Sequence, residues 1–148
     1  MILPVDGGLA ASPHRRYTLR VETSADRAAV VKALKSHGAK ARRGHLRIAV
    51  GDLFWYVDPM VDGVGRSASL RLEVGCWLPA LPPEPDGGAV DCPLLMDVPL
   101  GSDPMTTTGA VVAQITSIGD LGTLGARLGE LPGALVDHSL RELLRPPG

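Results

Sequence analysis

The stretch Ser67-Ala-Ser-Leu-Arg-Leu-Glu-Val-Gly-Cys-Trp77 decides the fold class. Leu70, Leu72 and Val74 alternate with Ser69, Arg71 and Glu73. That period of two turns one apolar and one polar face outward, the pattern of a half-buried strand. Working outward toward the N-terminus, the same period recurs in His45-Leu-Arg-Ile-Ala-Val50 and in Tyr17–Glu22, where Tyr17, Leu19 and Val21 alternate with Thr18, Arg20 and Glu22. Leu53-Phe-Trp-Tyr-Val57 reads as a further short strand, set between the turn Gly51-Asp52 and the stop Asp58-Pro59. Ala29, Val30, Ala33 and Leu34 fall instead at helical spacing. Thr23 or Ser24 can cap that helix, Asp26 sits in its first turn, and Gly38 supplies the left-handed residue that ends it. The predicted order before residue 78 is therefore β-α-β-β-β.

Toward the C-terminus, Leu94–Val98 reads as a short strand within an otherwise extended loop. Thr106–Ile118 is rich in β-branched residues and is predicted to be a buried strand. Leu121, Leu124, Leu128 and Leu131 then give helical spacing, Ala134–Val136 a short strand, and Ser139–Leu144 a terminal helical turn. A length of 148 residues is enough for one core. The expectation is a single α+β domain over residues 15–148, preceded by a mobile lead-in at 1–14. Its sheet is mostly antiparallel, with two main helices packed on one face. The five aromatics leave Leu, Val, Ile and Ala to fill that core.

Charge is divided along the chain. Residues 15–47 carry ten bases against two acids, and residues 52–148 carry thirteen acids against five bases, so a net charge of −1 conceals two opposed blocks. Residues 79–104 form an acidic, Pro-rich loop with five acids and no base. A proline-stiffened acidic segment suits a basic partner, whose association it would accelerate. On that reading Glu84, Asp86, Asp91 and Asp97 face the partner, with Trp55 or Trp77 as an apolar anchor. The basic block supports an alternative, a nucleic-acid or anion-binding module using Lys32, Lys35, Lys40, Arg42, Arg43 and Arg47. Such a module would lose affinity steeply with salt. No aromatics are interleaved with these charges to stack bases.

A third candidate is Gly119-Asp-Leu-Gly122-Thr-Leu-Gly125, which follows the predicted strand and opens a helix. Glycines so placed allow a backbone to approach a phosphate at a helix N-terminus, the basis of nucleotide binding or of an enzymatic domain. The same glycines can simply permit close packing on a sheet.

Catalysis has little support. His14, His37, His45 and His138 are scattered, and Asp137-His138-Ser139 places its groups in a row, where consecutive side chains point apart. Cys76 and Cys92 stand sixteen positions apart in no metal-ligand pattern and are expected to be reduced thiols. No cofactor and no metal are expected. No apolar run reaches the roughly 18–20 residues that span a bilayer, and the N-terminal stretch lacks the charge and long apolar segment of a secretory signal. A cytoplasmic location follows as the expectation.

The run Gly109–Ser117, Gly119-Asp120-Leu121-Gly122-Thr-Leu124-Gly125 and Pro132-Gly133-Ala-Leu135-Val136-Asp137 resembles the tail of small actinobacterial α+β proteins that act as immunity partners of polymorphic toxins. The resemblance covers about thirty residues and transfers no functional residue. It implies a non-enzymatic protein-binding module that neutralises or regulates a partner.

Overall fold

The period-two stretch Ser69–Trp77 folds as a central strand with its two faces as expected: Leu70, Leu72, Val74 and Cys76 are buried on one side and Arg71 and Glu73 lie half-buried on the other. The computed structural model describes residues 13–146. Among them are helices α1 (Pro13–Ser36), α2 (Pro104–Thr116), α3 (Leu121–Arg127) and α4 (His138–Leu144). The strands are β1 (Lys40–Arg42), β2 (His45–Val50), β3 (Leu53–Asp62), β4 (Ser69–Trp77), β5 (Leu94–Pro99) and β6 (Leu135–Val136). They form one antiparallel sheet in chain order, so each strand pairs with its neighbours in sequence.

The main core lies between one face of this sheet and the helices. Val30 and Leu34 of α1 and Val111, Val112 and Ile115 of α2 pack with Ile48, Leu53, Trp55, Val57, Leu72 and Val74 of the sheet. Burying such side chains contributes about 1.5–3 kcal/mol each. Gly38 ends α1 at φ +100°, and the amides of Gly38 and Ala39 bond back to the carbonyls of Lys35 and Leu34. Those two bonds satisfy carbonyls that the helix end would otherwise orphan.

Four expectations need correction. Tyr17–Glu22 lies within α1 and is not a strand. No Gly or Pro occurs between Pro13 and Gly38 to stop a helix, and Pro suits the first helical turn. Residues 1–12 of the expected lead-in lie outside the described residues, and 13–14 belong to α1. Thr106–Ile118 is helical through Thr116. Asp103 caps it by accepting the Thr106 amide, Pro104 follows, and the buried Thr108, Val111, Val112 and Ile115 recur at i, i+3, i+4 and i+7. Capping and helical period override β propensity there. Third, β3 continues through Pro59 to Asp62; β2 pairs with it only as far as Tyr56, so the proline sits where one flank has no ladder to lose. Finally, the basic connector after Gly38 contains the short edge strand β1.

Candidate functional site

The second face of the sheet carries the polar chemistry, and it divides into two halves. Its upper half, formed by Phe54, Tyr56, Trp77 and Leu95, is covered by the 79–93 loop, with Ala89 and Cys92 packed on it. This loop is strapped down by the very charges that sequence had set apart. Glu84 accepts from Arg42 (3.0 Å), from Arg47 and from the Tyr56 hydroxyl (2.5 Å). Arg43 pairs with Asp86. Arg47 also stacks over the Phe54 ring, 4.5 Å from its centroid.

The strap perturbs its own groups. Burial and the hydrogen bond to Glu84 push the Tyr56 phenol up to about 12. Burial works to raise the Glu84 carboxyl, but the hydrogen bonds from Tyr56, Arg42 and Arg47 outweigh it and hold the group below its ordinary value. The approach of the loop needs Gly75, where a Cβ would lie 2.6 Å from the Ala89 carbonyl oxygen and 2.7 Å from the Cys92 sulfur.

The lower half of the same face is uncovered by that loop. Here Arg71 donates to Asp62 (2.6 Å), Glu73 (2.9 Å) and Asp97 (2.7 Å), carboxylates contributed by three adjacent strands. Hydrogen bonds to Asp62 and Glu73 raise the Arg71 guanidinium and keep it charged. Three acids on one base leave this surface formally −2.

A groove of about 480 Å³ opens where β3 runs beyond β2. Asp58, only 8% exposed, lies beside it and accepts the amides of Ala89 (3.0 Å) and Leu46 (3.4 Å). His45 Nδ1 stands 3.0 Å from Asp58 Oδ2. A carboxylate only accepts, so Nδ1 carries the hydrogen and Nε2 is left to face the groove. Arg27 and Lys35 of α1 line it as well.

The residues predicted from sequence separate into several fates. Glu84 is turned inward to Arg42 and Arg47, the exposed Asp86 pairs with Arg43 at the surface, and Asp91 accepts the Gly87 amide at 3.0 Å. Asp97 joins the open acidic face. Trp55 has no exposed surface and donates to the Ile118 carbonyl at 3.0 Å; Trp77 is 7% exposed and donates to the Leu81 carbonyl at 2.8 Å. The anchor role expected of them is corrected on that ground: both indoles are core residues with satisfied N–H groups. Of the basic set, Lys32, Lys35 and Lys40 are exposed and form no ion pair among the described residues.

The Gly119–Gly125 run follows a helix, not a strand, so the strand–turn–helix context is absent. The Asp120 carboxylate accepts the Thr123 amide at 2.7 Å, so an anion already occupies the start of α3. Gly119 serves packing instead: its carbonyl accepts the Asp52 amide at 2.7 Å beside Gly51. Burial raises the Cys76 thiol to about 12 and raises Cys92 as well, which disfavours the thiolate of both near neutral pH.

Sequence reasoning missed Asp58, His45, Tyr56, Arg27 and Arg71. One signal was present. Asp58 falls two positions after Tyr56 in a run of large apolar residues, so a strand continuing past it must bury a carboxylate that needs donors. Comparison with family models, with curated proteins and with solved structures finds no match to this chain.

Proposed function

We propose that this chain is a non-enzymatic binding module that neutralises or regulates a basic protein partner, as an immunity protein does. The observation that supports this reading is the lower half of the sheet face, left uncovered by the 79–93 loop, where Asp62, Glu73 and Asp97 surround Arg71. Asp62 and Asp97 are 50% and 58% exposed, so their charge reaches solvent and can steer a cationic surface toward the sheet. The acids of the 79–91 loop act one step back, holding the hairpin and loop that frame this face.

The test uses tagged wild type and the double variant Asp62→Asn/Asp97→Asn as baits in lysate of the source organism. Salt is kept low, where screening extends over about 10 Å or more. The expected result is one stoichiometric basic protein on the wild type, eluted by salt and recovered about tenfold less on the variant. Equal recovery on both baits would overturn the reading.

A second reading, an anion- or nucleic-acid-binding module, is supported by the exposed Lys32, Lys35 and Lys40. Arg42, Arg43 and Arg47 are committed to carboxylates, so about three cations remain to meet phosphates. Binding of duplex DNA would then fall with salt at a log–log slope of about −3 rather than the −5 of the full set. A flat response sinks it.

A further inference from the structure

We propose that the groove beside β3 is a binding site for a small hydroxylated phosphate monoester, of the size of a sugar phosphate. His45 Nε2 hydrogen-bonds a ligand hydroxyl, and Arg27 and Lys35 meet the phosphate.

The first ground is the fixing of His45. Its Nδ1 is held by Asp58, a buried carboxylate that two backbone amides already clamp. A ring oriented by a buried acid presents its remaining nitrogen in one direction and one tautomer, which is how recognition and catalytic sites set an imidazole. The His45 side chain is 30% exposed, and Nε2 has no hydrogen-bond partner among the described residues.

The loop backbone confirms how closely this pair is enclosed. Gly88 lies at φ +73°, and a Cβ there would collide with both His45 Nδ1 and Asp58 Oδ2. Only glycine lets the loop close over the pair.

Charge accounting supplies the second ground. Four charged residues and His45 line the groove: Arg27, Lys35, Asp58 and Glu73. Asp58 accepts from three donors, and Glu73 shares Arg71 (2.9 Å) with Asp62 and Asp97. Lys35 has no ion pair among the described residues, while Arg27 spends Nε on the Pro59 carbonyl at 3.3 Å and keeps its terminal nitrogens. Arg27, Val31 and Lys35 are spaced i, i+4, i+8, one stripe along α1, so both cations face the same wall. The groove is formally neutral, and its two cations, which have no carboxylate partner among the described residues, lie along the α1 stripe.

Size gives the third. The volume of about 480 Å³ falls within the ordinary range for a metabolite site and exceeds what a bare inorganic anion fills. Val31 and Met60 add an apolar wall against which a carbon skeleton can lie.

The site does not depend on the neutralising role, because the Asp62→Asn/Asp97→Asn variant leaves His45, Arg27 and Lys35 in place. It is tested by titrating the full chain with glucose 6-phosphate, with calorimetry and imidazole nitrogen NMR as readouts. Glucose (hydroxyls without charge) and methyl phosphate (charge without hydroxyls) are the matched controls. The expected result is saturable binding of glucose 6-phosphate that perturbs His45 Nε2, at least about tenfold tighter than either control. Lys35→Ala, an exposed helical position that will fold, and His45→Ala should each weaken it by about tenfold or more. No binding of glucose 6-phosphate up to about 10 mM, affinity equal to that of methyl phosphate, or unchanged affinity in Lys35→Ala would each overturn the proposal.

Discussion

Replacing Glu84 by Ala removes a carboxylate that takes two arginines of the basic block. Arg42 reaches Oε1 at 3.0 Å, and Arg47 and the Tyr56 hydroxyl both reach Oε2. The Glu84 side chain is 13% exposed, Arg47 24% and Arg42 42%. The Arg42 contact therefore belongs near the solvent-screened limit of about 0.5 kcal/mol. The contacts of Arg47 and Tyr56, half-screened by solvent, belong near the upper end for an ordinary hydrogen bond, about 1–1.5 kcal/mol each. Together they predict a loss of about 3 kcal/mol, a large share of the 5–15 kcal/mol typical of a whole domain. Urea unfolding at pH 7 measures it directly. Acrylamide quenching of Trp77 fluorescence reports the loop, because that indole is held under it by the Leu81 carbonyl. Glu84→Gln should lose about half as much, and a cycle pairing Arg47→Ala with Glu84→Ala should show coupling of about 1 kcal/mol or more. Asp86→Ala is the contrast: its side chain is 84% exposed, and its loss should stay within about 0.5 kcal/mol. A Glu84→Ala protein within about 0.5 kcal/mol of wild type, with unchanged quenching, would refute the strap.

Two more predictions follow from the same chemistry. Thr108 is buried in α2 with a hydroxyl that has no hydrogen-bond partner among the described residues, so Thr108→Val should stabilise by about 1 kcal/mol and raise Tm by about 2–4 °C in calorimetry; a fall in Tm would contradict it. The strap should also depend on pH at both ends. Glu84 is held below its ordinary 4.5, so its contribution is complete above that value and is lost as pH falls through the folded one. Tyr56 is raised from 10.0 to about 12, so its contribution is complete below pH 10 and is lost as pH rises through about 12. The stability gap between wild type and Glu84→Gln should close in acid, and a gap independent of pH would count against it.

Strands β2, β4 and β5 were legible because one face of each is buried and the other is not, which imprints a period of two on the residues themselves. The helix ending at Gly38 was legible for the parallel reason that Val30 and Leu34 recur on one side and glycine can take the left-handed turn. Helix α2 was misread because composition was weighed above period: Thr108, Val111, Val112 and Ile115 are β-branched yet helically spaced. The site was less legible. Split charge pointed to the right residues for the strap but not to their partners, since Arg47 and Glu84 are 37 positions apart. His45 and Asp58 carried no motif at all.

By itself the sequence determined the α+β class, the antiparallel character of the sheet and the existence of two opposed charge blocks, because periodicity and formal charge are local properties of the chain. Only the tertiary structure decided that the blocks neutralise each other at Glu84, that Trp55 and Trp77 are core, and that His45, Arg27 and Lys35 border one groove. Those outcomes depend on strand register and loop closure. A single position of register exchanges the two faces of a strand and would carry His45 away from Asp58.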